Sequence, residues 1–239
     1  MNTADTQNHK PLPAHVIISC YLLMVVAAIY GSSARIGGGD TWIALACGRY
    51  YTAGTWAASD QNRTVQMKIL DHLGIHLTRQ DPFSPFSRPC NPDNKGDVGW
   101  INQNWLSHVI FYKLFSTAGP MALVYFKCIQ SLLTVLLIYW ASRALYVHPL
   151  VTAAASSMGI LMARSYIDLR PNVSSILFAA ALLLILNLWK KGRAQAMLWL
   201  FPLMILWSTI HGGIIYAIVL VAILFLGQGS MVILTRFFG

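Results

Sequence analysis

Six apolar blocks and one long polar stretch organise this chain. The blocks cover residues 15–34, 120–141, 148–164, 171–189, 196–211 and 213–235. A hydrocarbon core about 30 Å thick needs roughly 20 apolar residues of helix, and the blocks meet or approach that length. Membrane strands would instead show short alternating segments. The pattern predicts an all-α integral membrane protein with about six transmembrane helices. The blocks at 148–164 and 196–211 are short for a full crossing, which suits helices that end below the membrane surface and line a cavity.

The polar stretch, residues 35–105, lies between the first two blocks. Within it Thr41–Tyr51 (TWIALACGRYY) carries apolar residues at helical spacing and predicts a short helix lying at the membrane interface. Residues 58–98 read as irregular, with turn signals at Asp81-Pro82, Ser84-Pro85, Pro89 and Asn91-Pro92-Asp93. Trp105–Phe115 predicts a second interfacial helix, ended near Gly119-Pro120. The first block lacks a strongly basic flank and reads as a retained helix. The expected organisation is a polar tail at 1–14, then a single transmembrane domain at 15–239 that carries the 35–105 loop.

Composition agrees with the pattern. Of 239 residues 56% are hydrophobic and 10% charged, against about 25% charged in a soluble domain. All eight acids are aspartate, and the formal net charge is +9. With no soluble basic domain to carry phosphate contacts along a duplex, nucleic acid is not an expected partner. The basic excess instead suits topology signals and contacts with anionic lipid or phosphorylated substrate. Arg143, Lys190, Lys191, Arg193 and Arg236 fall on the side that also holds Lys10, which makes that side cytoplasmic. The N-terminus is then cytoplasmic and the 35–105 loop extracytoplasmic.

Charge also marks the candidate chemistry. Arg164 and Arg170 flank the short outward turn ARSYIDLRPN, on the side where basic residues are disfavoured. Either Asp168 pairs with one arginine while the other snorkels to headgroups, or the two bind a phosphate. Asp40, in Gly37-Gly38-Gly39-Asp40-Thr41-Trp42, leaves the first block at the mouth of any cavity the helices enclose. It suits a general base toward an acceptor hydroxyl, a ligand for a divalent cation, or a cap for the helix at 41–51. Asp81, Trp100, Asn104 and Trp105 combine aromatics and polar groups in the loop, as sugar recognition does and as an interfacial aromatic belt also does. His211-Gly212-Gly213 ends the fifth block beyond Trp207. That histidine is either a phosphate hydrogen-bond donor or a satisfied core residue at a helix break. Cys47 and Cys90 share the outward loop, as a disulfide or as two thiols. Asn62-Arg63-Thr64 and Asn172-Val173-Ser174 match the N-glycosylation triplet. No zinc cluster, catalytic triad, nucleotide phosphate loop or haem site is legible, so no cofactor is expected.

The run Asp40-x-Trp42-x-x-Leu45-x-x-Gly48, with Gly54, Asp81-Pro82-Phe83-Ser84, Trp100, Trp105-Leu106, Arg170-Pro171 and Trp207-x-x-x-His211-Gly212-Gly213, resembles a family of bacterial polytopic membrane proteins similar to the GT-C glycosyltransferases. The resemblance covers roughly residues 15–235. It implies a sugar donor on a polyprenyl phosphate or pyrophosphate, an active site at the outer face of the bacterial cytoplasmic membrane, and Asp40 as base or acceptor-positioning group. Arg164, Arg170 and His211 would face the lipid phosphate. A second expectation is a non-catalytic subunit of a larger membrane complex, built on the same scaffold. Asn102-Gln103-Asn104, standing where relatives tend to carry an acidic or histidine residue, favours it, as do the aromatic-rich loop and the few spans. A transporter is the weakest reading, since no span carries a buried acid and no internal repeat is visible.

Overall fold

A computed structural model describes residues 12–34, 36, 39–53 and 103–238. Among these residues the chain is helical and has no strand. Its helices are α1 (Ala14–Ser32), α2 (Gly39–Ala53), α3 (Trp105–Ala144), α4 (Pro149–Met162), α5 (Pro171–Lys190), α6 (Leu200–Ile210) and α7 (Ile214–Phe238). Short 3-10 segments at Ala163–Ser165 and Ala194–Trp199 follow α4 and precede α6.

Proline and glycine set the boundaries. Pro149 and Pro171 occupy the first turns of α4 and α5, where the missing N–H would have no helical partner anyway. Inside α3, Gly119 has φ 73° and ψ −175°, a left-handed φ that glycine adopts without steric penalty. Pro120 then restarts the helix. The break falls where the sequence places it, although the two halves run on as one 40-residue element.

Among the described residues three helices, α1, α3 and α5, are long and apolar enough to cross a membrane. The two short blocks yield short helices. At 14 residues, α4 is about 21 Å long, well under the hydrocarbon thickness. The apolar helix surface faces outward as well as inward: Leu22 and Val26 on α1 are 59% and 64% exposed. Lipid tails are as apolar as these side chains, so close packing rather than water exclusion must hold the bundle together. Small residues supply it between α1 and α4. Ala27, Ala28 and Gly31 are buried on α1, and Ala153, Ser156 and Ser157 on α4, with Ala27 and Ala153 in one core cluster. A Cβ on Gly31 would sit 3.2 Å from the Ile160 carbonyl oxygen. On the other side α5 joins α6 through Phe178, Leu182 and Trp207, with the Phe178 and Trp207 rings 5.7 Å apart.

The two ends of the bundle differ in charge. One end gathers Arg143, Lys190, Lys191 and Arg193, with Lys191 Nζ 3.7 Å from the centre of the Tyr146 ring. The opposite end gathers Asp40, Arg164, Asp168 and Arg170.

Helix α2 lies along the first half of α3. Thr41, Ala44, Leu45, Gly48 and Tyr51 form its buried stripe, at the spacing that an amphipathic helix requires. Leu45 packs with Phe111, Leu123 and Leu169. At Gly48 the helices touch backbone to backbone, and an added Cβ would fall onto the His108 carbonyl and the Tyr112 side chain. Gly48→Ala should therefore lower stability by about 1–3 kcal/mol, read as a fall in Tm in detergent. Gly159→Ala, where nothing lies within 4 Å, should leave Tm unchanged, and equal behaviour of the two variants would refute the close approach.

Candidate functional site

The turn between α4 and α5 bends from Tyr166 to Arg170, where the Arg170 N–H donates to the Asp168 carbonyl at 2.8 Å, and it alternates its side chains. Ile167 and Leu169 are buried, while Asp168 is partly and Arg170 largely exposed. Thr41 Oγ1, itself buried, donates to the Leu169 carbonyl at 3.0 Å and ties the start of α2 to this turn. One residue earlier, Asp40 Oδ2 lies 3.3 Å from Arg170 Nε, with side chains 62% and 45% exposed. Such an exposed pair adds little stability. Its consequence is positional: the carboxylate is held on one edge of the guanidinium, leaving the Nη groups available to a second anion.

The pairing differs from the one that sequence proximity suggests. Among the described residues Asp168 forms an ion pair with neither arginine; its Oδ1 accepts the Leu169 N–H at 2.7 Å. Arg164 lies over the Tyr30 ring at the end of α1, 4.3 Å from its centre. The helix-cap reading of Asp40 is also modified. Helix α2 begins at Gly39, so Asp40 lies inside the first turn, where a carboxylate is favoured by the helix dipole. A guanidinium, not an open coordination position, faces it, which is poor company for a divalent cation. Among the described residues no three His, Cys, Asp or Glu side chains gather into a metal site.

A lysine that the sequence pattern did not single out meets the end of α1. Lys127, on the spanning half of α3, is fully buried, and its Nζ donates to the Ala34 carbonyl at 2.7 Å. Ala34 follows the C-terminus of α1, where unpaired carbonyls and the negative end of the helix dipole favour a cation. A lone lysine in an apolar run gave one signal that could have found it, since intramembrane charges need a named partner.

The second group of polar residues lies between α5, α6 and the start of α3. His211 ends α6 in extended backbone. Its Nδ1 lies 2.7 Å from Ser175 Oγ, which accepts from Trp207 Nε1 at 2.8 Å. The Gly213 N–H reaches the same Nδ1 at 3.1 Å, and the Gly212 N–H reaches Asn104 Oδ1 at 3.4 Å. A Cβ on Gly213 would collide with both the His211 ring and Ser175 Oγ. Nearby, Gln130 donates to Ser174 at 2.6 Å.

The structure thus brings Asp40 and Arg170 together, and Asn104 beside the His211 turn. Arg164 stands apart on Tyr30. Trp105 packs with Cys47, Tyr51 and Val109 at the α2–α3 contact, a packing role that its place in the motif does not reveal. Asp81, Trp100, Cys90, Lys10 and the Asn62 triplet lie outside the described residues. In the Asn172 triplet, Ser174 is buried in the first turn of α5.

Below the 163–170 turn, α4 and α5 do not pack directly on one another among the described residues. Between them, over α3, runs a cleft of about 430 Å³. Val135, Ile138, Val151, Ala155, Ile160 and Ile176 are among its apolar lining residues, and Ala163 and Ile167 bring it up to the turn.

Comparison with protein-family models, curated proteins and solved structures finds no match to this chain.

Replacing Lys127 tests how the upper end is held. Lys127→Met removes the donor to Ala34 and should cost about 1–3 kcal/mol. It should also speed labelling of an Asp40→Cys variant by an impermeant maleimide, because the end of α1 at Ala34, six positions before residue 40, loses its tether. Unchanged labelling would show that Lys127 does not hold that end of α1.

Proposed function

We propose that the chain is a GT-C-like glycosyltransferase that takes sugar from a polyprenyl-phosphate carrier at the outer face of the bacterial cytoplasmic membrane. In this reading it crosses the membrane about six times, with the N-terminal tail cytoplasmic and the 35–105 loop outside. The observation that carries the reading is the Asp40–Arg170 pair, whose arginine follows by three residues Ile167, where the lining of the apolar α4–α5 cleft reaches the 163–170 turn. A long apolar chain with a phosphate head matches that order of surfaces.

The chemistry follows from the pair. Asp40 takes the proton of an acceptor hydroxyl as its oxygen bonds to the anomeric carbon. The bond from that carbon to the phosphate oxygen breaks, with inversion, and the electron pair leaves on the phosphate. Arg170, still fixed by Asp40 through Nε, meets the departing charge with its Nη groups, and Arg164 adds a second cation. Base and leaving group are thereby referenced to one guanidinium. His211 and Asn104 border the same end of the bundle. Asp81, Trp100 and Trp105 are assigned to the acceptor and sugar side on the chemistry of aromatic faces and polar groups that sugar recognition uses.

Sugar transfer from a radiolabelled lipid-linked donor tests this. Asp40→Asn should lower turnover by about 100- to 10,000-fold, the usual contribution of a general base; equal turnover in both proteins removes Asp40 from the mechanism. Ala155→Phe should narrow the cleft and raise the donor KM by about tenfold. That is the effect of excluding roughly two methylenes at about 0.8 kcal/mol each. An unchanged KM would place the lipid elsewhere.

The second reading is a non-catalytic subunit of a larger membrane complex. It is favoured by the open groove between α6 and α7, about 590 Å³ and lined by Met204, Ile214, Ile218, Val221, Phe225 and Leu226 among others. Phe225 and Leu226 are 77% and 70% exposed. Native mass spectrometry of mildly solubilised membranes separates the two, since stoichiometric co-purification of other subunits is expected only of the second.

A further inference from the structure

The proposed transfer chemistry leaves Ser175 and Trp207 without a role, although both contact or support His211. Their hydrogen bonds fix more than the position of the ring. The Trp207 indole N–H can only donate, so at 2.8 Å Ser175 Oγ must accept it. With a second lone pair, Ser175 Oγ can either donate to or accept from His211 Nδ1, 2.7 Å away. The Gly213 N–H, 3.1 Å from the same nitrogen, can only donate, so Nδ1 accepts and the serine hydroxyl proton turns to it. Two donors therefore meet one ring nitrogen. A proton on Nδ1 would oppose the Gly213 N–H and force the serine hydroxyl to turn away. The imidazolium, which carries a proton on both nitrogens, meets the same opposition.

We propose that Ser175 and Trp207 are positioning residues that hold His211 as the neutral Nε2–H tautomer, so that the ring offers the site one uncharged donor and no cation. The value of such a donor rests on the reading of a phosphate at this end of the bundle. There, Arg164 and Arg170 supply charge, and a neutral imidazole would add direction without adding to the attraction that retains the phosphate after transfer. Gly213 belongs to the same device, because any side chain there would displace Ser175 Oγ or the ring. The arrangement also accounts for a tryptophan that is only 1% exposed yet keeps its polar edge on a serine.

The test reads the ring itself. Full-length protein labelled with 15N-histidine is reconstituted in lipid nanodiscs, and the His211 signals are assigned by their loss in His211→Gln. At neutral pH the spectrum should show an unprotonated Nδ1 and a protonated Nε2. Ser175→Ala, a small change of volume, should raise the ratio of Nδ1–H to Nε2–H by about fivefold through loss of one donor. Trp207→Phe should move the ratio the same way by freeing Ser175 Oγ to accept from Nδ1. Ser175→Thr, which keeps the hydroxyl, should restore the wild-type signature. An imidazolium or an Nδ1–H ring in the wild type overturns the proposal, as does a Ser175→Ala spectrum identical to wild type. Sugar transfer is not the readout, so a chain without transferase activity would still give a decisive answer.

Discussion

The upper end of this bundle depends on a charge placed where charge is costly. Lys127 carries an ammonium into a fully buried position on a spanning helix, and an unpaired cation there would not be tolerated. The Ala34 carbonyl at the end of α1 resolves the problem. That carbonyl is one of the groups that a helix C-terminus leaves unsatisfied, so each partner removes the other's penalty. Because Ala34 lies only six positions before Asp40, the bond also decides where the first turn of α2 can lie. Thr41, donating to Leu169, anchors the far side of the same turn. The Asp40 carboxylate is exposed and weakly paired, but the backbone that bears it is tied at two buried points.

Helix α5 connects the two polar groups of the site. Arg170 immediately precedes it, in extended backbone that lets Pro171 begin the helix. Ser174 and Ser175 follow within its first turn and a half, about 7.5 Å along the axis from Arg170 to Ser175. The arginine reaches Asp40, Ser174 meets Gln130 on α3, and Ser175 meets His211 beyond α6. One helix start therefore sets the spacing between a charged pair and a neutral hydrogen-bonded cluster. The two differ in character for a physical reason: Asp40 and Arg170 face solvent, where ionisation is cheap, whereas Trp207 and Ser174 are buried and must be satisfied without charge.

Most of the helices were legible because their signals are local. Gly119-Pro120 announces a break, Pro149 and Pro171 announce helix starts, and the apolar periodicity of 41–51 announces α2. The short blocks also declared themselves by length. What the sequence could not convey was which helix ends meet. Asp168 stands two residues from Arg170, yet the arginine pairs with Asp40, 130 positions away, because Asp168 accepts the amide beside it and the α2 start is brought close by Thr41. Ser175 and His211 are 36 residues apart, and nothing in the local pattern of either joins them. The motif positions divide in the same way. Leu45 and Gly48 mark the face of α2 that packs on α3, and Trp105 packs there too, so part of what looks like a functional signature is the imprint of a helix contact.

The cleft and the arginine-bearing turn beside it follow from one geometric constraint. Helix α4 is too short to cross alone and packs on α1 and α3, leaving α5 across a gap. The connection from α4 to α5 must bridge that gap at the bundle's end, and the eight residues 163–170 do so. Ala163 and Ile167 line the cleft where it reaches the connection, and Leu169 is buried with Leu45 and Phe111. Arg164 and Arg170 stay outside the core, held by Tyr30 and Asp40. The same eight residues thus line one end of an apolar slot and fix two guanidinium groups against the ends of α1 and α2.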